Sequence, residues 1–141
     1  MTLQPPAIRA QQEIEELHRF FQDWFRGEAV EASLSRLEAA LAPDFVLITP
    51  GGRVLDRNTV VTGVASQRGS DPAARLWIEN VTLRQAWAEL MIVTYEEWQE
   101  RRGSAARGRL STVVFGTHAR PPTDLQWVHL HETWLGTPQE F

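Results

Sequence analysis

Apolar positions in the first third of the chain recur every three to four residues. Ile14, Leu17, Phe21 and Trp24 fall on one helical stripe, and Phe20 and Phe25 widen it. Gly27 is the natural C-terminal cap. A second helix is predicted from Val30, Leu34, Leu37 and Leu41, closed by Pro43. "DFVLITPGG" then reads as a strand running into a tight turn at Pro50, Gly51 and Gly52. "RVLDRNTVVTGVASQ" predicts a brief returning strand and a short helix capped by Asp56 or Asn58. From Arg75 onward the pattern changes to four extended runs, "RLWIENVTL", "AWAELMIVTYEEWQE", "GRLSTVVFGTH" and "LQWVHLHETWL". The linkers "RQ", "RRGSAAR" and "ARPPTD" are short enough for antiparallel hairpins. Helices first and a meander afterward is the α+β pattern, with three helices of the N-terminal half on one side of a curved antiparallel sheet.

In the last run, period-two alternation puts Trp127, His129, His131 and Thr133 on one face. Val128, Leu130, Glu132 and Trp134 fall on the other. In the second run Trp87, Met91, Val93 and Tyr95 oppose Leu90, Ile92, Thr94 and Trp98. Both faces are largely apolar, whereas an antiparallel sheet on a monomer surface has a polar outer face. Leaving one Trp in water forgoes roughly 4–6 kcal/mol as an upper bound. A second copy of the chain is therefore expected on the outer face, burying about 800 Å² per subunit or more. The alternative is a twist strong enough to hide the tryptophans within one chain.

Composition narrows the chemistry. With 141 residues, 43% apolar content and six Trp, a single packed domain is expected over 1–141, with 1–7 as a loose tail. A net charge of -4 argues against nucleic-acid or anionic-membrane partners. All fourteen basic residues are Arg, so lysine chemistry is excluded, and the absence of Cys excludes thiolate catalysis and disulfides. Abundant Ala and Arg without Lys fits a GC-rich bacterial coding bias. The chain opens without a basic patch followed by an apolar run, and its longest apolar run, "LMIV", is far below the ~20 residues that span a bilayer. A cytoplasmic location is the expectation.

The order of elements, ending in Val128-His129-Leu130-His131-Glu132-Thr133, resembles the nuclear transport factor 2-like superfamily. That group includes SnoaL-like polyketide cyclases, ketosteroid isomerases and the association domain of calcium/calmodulin-dependent kinase. The final strand is similar to the V-H-F-H-x-S strand of that association domain. "PDFVLITPGGRVLDR" is similar to the segment after the second helix in small bacterial members. The resemblance covers roughly Ile8 to Leu135. It implies a cone-shaped, strongly curved sheet whose concave face, with the helices, encloses a pocket. It also implies a homodimer through the convex face. The scaffold hosts isomerases, cyclases, dehydratases and non-enzymes, so it implies no single reaction.

His129 and His131 are the leading site candidates, because side chains two apart on a strand sit about 6.5–7 Å apart and aim into one space. There they would orient a polar ligand or move a proton near neutral pH; each could equally bond a neighbouring group and close the core. The pair is also half a metal site, but His118, Asp44, Glu89 and Glu97 offer no third ligand by spacing, so no metal or cofactor is expected. Tyr95 could donate to a ligand carbonyl with Glu97 as base, and Asp44 is either a pocket-mouth acid or ordinary turn chemistry. Phe21, Trp24, Trp87 and Trp127 are candidates for the apolar lining. Arg101, Arg102, Arg107 and Arg109 sit near Glu96, Glu97 and Glu100 and read as a solvated, ion-paired tip. The expected function is binding of a small apolar or carbonyl-containing molecule by a homodimer. The alternatives are an acid/base isomerase, cyclase or dehydratase, and a non-catalytic association module.

Overall fold

The structure is a computed structural model that describes residues 4–29, 33–117 and 124–136. Within them the elements run α1 (Pro6–Arg26), α2 (Ser35–Ala40), β1 (Leu41–Ile48), β2 (Val54–Asp56), α3 (Arg57–Ala65), β3 (Arg75–Ala86), β4 (Leu90–Glu100), β5 (Arg107–Gly116) and β6 (Gln126–Trp134). The fold is α+β, as expected. Helix α1 already starts at Pro6, inside the stretch expected to be a tail, because proline is well suited to a first helical turn. It ends at Gly27, whose φ of 77° is the left-handed cap that a glycine adopts without strain. Asp56 caps α3 by accepting from the Thr59 N–H at 2.8 Å.

The six strands form one open sheet in the order β2-β1-β6-β5-β4-β3. From β3 to β6 it is the antiparallel meander read from the sequence. Two local expectations change. The second helix is only Ser35–Ala40, because Leu41 turns extended and pairs with Trp127. Val30, expected in that helix, lies outside the described residues. "RQ" belongs to β3, and the β3–β4 turn falls at Ala88 and Glu89, closed by Trp87 N–H donating to the Leu90 carbonyl at 2.8 Å. The sheet is also mixed rather than wholly antiparallel, since β1 runs parallel to β6.

All three helices pack against one face. There Ile14 and Leu17 of α1 and Leu37 of α2 join Met91, Val93, Tyr95, Val113, Phe115 and Trp127 in one buried core. A smaller cluster holds Trp24, Phe25, Ala74 and Leu76 at the far end of α1. Register shifts within β3 and between β5 and β6 bend the sheet around the helices. Among the described residues no helix is long and apolar enough to cross a membrane.

Candidate functional site

The inner face of the sheet is fixed by cross-strand pairing, since directly paired residues share a face. On β4 and β5 the rows are Val93 with Val113, Tyr95 with Ser111, and Glu97 with Arg109. On β6 the register breaks. Phe115 pairs with Trp127, but Val114 pairs with His129, so β6 carries one extra residue at this point. A bulge of this kind inverts the alternation for everything beyond it. Leu130 and Glu132 therefore join Trp127 on the inner face, opposite Val113 and Ser111.

This overturns the placement of the two leading candidates. His129 pairs with Val114 and His131 with Thr112, both on the outer face, and His131 is exposed. The imidazole that does reach the inner space is His18, from α1. It is buried, as are Glu13, Glu97 and Glu132, and together they form a charged layer inside an otherwise apolar core.

Two linked ion-pair systems satisfy that layer. Arg109 lies between two carboxylates, with Nη2 donating to Glu97 Oε2 and Nη1 donating to Glu132 Oε1 at 3.2 Å. Gln99 Nε2 donates to Glu97 Oε2 at 2.8 Å. Glu13 accepts from Arg36 Nη2 at 3.0 and 3.1 Å and from the indole Nε1 of Trp127 at 2.8 Å. Buried charges persist only when paired and hydrogen-bonded in this manner.

His18 joins helix to sheet. Its Nδ1 is 2.7 Å from the Ile14 carbonyl and its Nε2 is 2.6 Å from Glu97 Oε1. A carbonyl only accepts, so Nδ1 carries a hydrogen, and one proton must lie in the Nε2–Oε1 contact. Burial pushes the imidazole down to about 4. The Ile14 carbonyl opposes that shift and the Arg109 charge adds to it. Nitrogen-15 spectra should therefore show His18 with a single ring N–H from pH 5 to pH 8, taking a second proton only near pH 4. Imidazolium formation near 6.5 would contradict the arrangement.

Burial also raises Glu132, with Arg109 opposing the rise, and raises Tyr95, to which the Glu132 charge adds. Tyr95 therefore stays a phenol. The buried Tyr95 and Ser111 hydroxyls face each other across β4 and β5, and among the described residues the buried Arg109 Nε has no hydrogen-bond partner. All three sit on adjacent inner-face rows of β4 and β5.

Beside this layer is a cavity of about 170 Å³ between the helices and the inner face. Its walls are mainly apolar, from Leu17, Phe21, Leu37, Phe45, Val64 and Leu130 among others. His18, Glu97, Arg109 and Glu132 supply polar wall. The arrangement can hold an apolar body against a polar group, or pass a proton between that group and the His18–Glu97 contact.

Of the residues singled out from sequence, Phe21, Phe25, Trp127 and Glu97, the candidate base, line this cavity. Tyr95 is on its side of the sheet, wholly buried. Trp24 is buried one step away, its Nε1 donating to the Val64 carbonyl at 2.8 Å, so it ties α1 to α3 instead of lining the cavity. Trp87, 56% exposed, stands at the β3–β4 turn and not mid-strand. Asp44 is exposed on β1, and Glu89 is exposed in the hairpin. His118 lies outside the described residues. Among the described residues no three His, Asp or Glu side chains gather as metal ligands.

Sequence reasoning missed His18, Glu13, Arg36 and Glu132 and misplaced Arg109, which is an inner-face anchor and not part of a solvated tip. A signal existed for two of them. Glu13 and His18 interrupt the Ile14, Leu17, Phe21 stripe, and a charged or titratable group on a buried helical face needs a partner.

Residues 10–136 match the family described as Sucrose-6-phosphate phosphohydrolase C-terminal. Among solved structures, an NTF-2 like protein of unknown function from Pseudomonas aeruginosa is similar at 31% identity and a TM-score of 0.82, over 91% of this chain and 99% of that one. The S. rosetta CaMKII hub is similar in fold at 14% identity and a TM-score of 0.74, over 95% and 100% of the two chains. An NTF2-like protein from Cytophaga hutchinsonii aligns at 13% identity and a TM-score of 0.69, over 94% and 100%. Among curated proteins none matches the sequence. The chain therefore belongs to the Sucrose-6-phosphate phosphohydrolase C-terminal family, built on the nuclear transport factor 2-like fold.

Proposed function

We propose that this protein is a small-molecule-binding domain, its ligand lodged between α1 and the inner face of the sheet. The observation that carries the reading is the cavity of about 170 Å³ with an apolar wall on one side and the His18–Glu97–Arg109–Glu132 layer on the other. An engineered apolar cavity of roughly 150 Å³ holds a benzene molecule, so a body about the size of one six-membered ring fits. Arg109 lines the cavity, and its buried Nε lacks a hydrogen-bond partner among the described residues, a cost of about 1–3 kcal/mol that a small rearrangement toward a polar occupant would relieve. The polar role expected of His129 and His131 passes to His18 and Arg109. Calorimetry with ring-sized ketones and alcohols tests this: binding is expected, and Leu130→Trp, which fills the cavity, should abolish it. No binding by the unsubstituted protein, or full binding by the filled variant, contradicts the reading.

A second reading, acid/base catalysis, is favoured by one observation, the 2.6 Å contact between His18 Nε2 and Glu97 Oε1 on the cavity wall. An enzyme would lose turnover but keep ligand affinity on His18→Gln.

The assembly we propose is a homodimer through the outer face. That face carries Val46, Ile48, Ile92, Val114 and the Trp77–Trp98 pair, stacked 6.3 Å apart, on the side away from the helices. The hub neighbour is itself named for an assembly role. Sedimentation at micromolar concentration should give a dimer, and Val114→Glu a monomer, because an unpaired charge in a closed interface costs several kcal/mol. A monomeric unsubstituted protein ends the dimer proposal.

A further inference from the structure

The cavity's charges do not all cancel. Inside, Arg109 is already engaged by both Glu97 and Glu132, and Glu97 is also in contact with His18, so an anion brought there meets no free cation. Arg101 is different. It lines the same cavity from the end of β4 and makes no ion pair among the described residues. Its guanidinium is stacked 4.5 Å above the Phe25 ring, which also lines the cavity. Arg101 keeps partial exposure where His18, Glu97 and Glu132 are buried, so it belongs to the rim.

A balancing charge is Asp71, held below the usual carboxylate range first by the Arg102 backbone N–H and also by the charges of Arg101 and Arg102. Its oxygens are occupied by the Ala73 and Arg102 N–H groups at 3.0 Å each. Asp71 thus answers to two guanidinium charges, and among the described residues it does not form an ion pair with Arg101. Stacking on Phe25 keeps the Arg101 guanidinium plane at the mouth and limits the rotamer entropy lost on binding.

We infer that the ligand is an apolar monocarboxylate about one ring in size, its body in the cavity and its carboxylate on Arg101. This rests on the ligand-binding reading above. The mainly apolar walls and the small volume disfavour a polar sugar phosphate, although the family's name contains one.

The test compares cyclohexanecarboxylate with its uncharged isostere cyclohexanecarboxamide by calorimetry on the full chain. The carboxylate should bind at least tenfold more tightly, and the preference should shrink as salt rises from 50 to 500 mM. Arg101→Gln should remove the preference while carboxamide affinity stays within twofold. Arg107→Gln makes the same charge change at a residue stacked on Trp134 and off the cavity wall, and should keep the preference. Equal binding of the two compounds, or a preference that survives Arg101→Gln, overturns the inference and leaves the ligand-binding reading intact. Tighter binding of sucrose 6-phosphate than of the carboxylate overturns it too. If neither ring compound binds, both readings fall. Should Arg101→Gln not fold, the salt series and the carboxylate–carboxamide comparison on the unsubstituted protein still decide.

Discussion

Arg109→Met lowers the free energy of unfolding by about 3–5 kcal/mol at pH 7, the range for removing one partner of a buried charge system. The cause is what stays behind: Glu97 and Glu132 lose their shared cation within a core where both are buried. The loss depends on pH with a definite sign. Burial already raises Glu132, and Arg109 opposes that rise, so removing Arg109 raises it further. A carboxyl whose folded pKa lies above its unfolded value contributes stability below about 4.5 that is lost as pH rises through the folded value. The deficit should therefore be smaller at pH 4.5 than at pH 7. Adding Glu132→Gln to Arg109→Met should recover part of the loss, since one stranded charge is gone. Urea unfolding of the single and double variants measures both; a deficit below 1 kcal/mol that is flat with pH contradicts the anchoring role of Arg109.

Trp127→Ala is expected to cost a similar amount, about 3–5 kcal/mol for the cavity and lost burial. Trp127 is 1% exposed and sits edge-on to Phe115 and Tyr95, with ring centroids 4.9 and 6.2 Å away. Its indole also donates to Glu13, 114 residues earlier, so it closes the sheet onto α1. Trp127→Phe separates the two contributions. It keeps most of the packing but removes a hydrogen bond to a charged group, for a loss of roughly 1.5–3 kcal/mol. If Phe and Ala at this position unfold at the same urea concentration, the ring contributes nothing beyond its N–H and the packing argument is wrong.

Most of the architecture was legible because it depends on local periodicity. The stripe from Ile14 to Trp24, the glycine cap at Gly27 and the alternation of Met91, Val93 and Tyr95 all read directly into α1 and β4. The bulge in β6 was not legible. Period-two alternation assigns Trp127, His129 and His131 to one face, and a single extra residue sends the histidines outward while bringing Leu130 and Glu132 in. Nothing local in "QWVHLHET" marks that insertion, because it is set by pairing with β5 and with the parallel strand β1. The same limit hid the role of Arg109. Beside its neighbours in "RRGSAARGR" it looks like part of a wet tip, and only its register opposite Glu97 shows it facing inward. Glu13 and His18 were readable as charged intrusions on an apolar helical face, but Arg36, the cation on Glu13, comes from another helix, and the strand partners Trp127 and Glu97 lie over a hundred and about eighty residues away.

A ligand lodged between α1 and the sheet meets one side of β6 and not the other. Proton–nitrogen correlation spectra during a cyclohexanecarboxamide titration address this directly, because Trp127 lines the cavity and its indole N–H, held by Glu13, reports on that ring, while the His129 and His131 side chains are directed to the outer face. The expected result is a saturable shift of the Trp127 indole signal together with the His18 ring, with no comparable change in the side-chain signals of His129 and His131. Saturable shifts confined to the His129 and His131 rings, with the Trp127 indole unmoved, would place the site on the opposite face and contradict it.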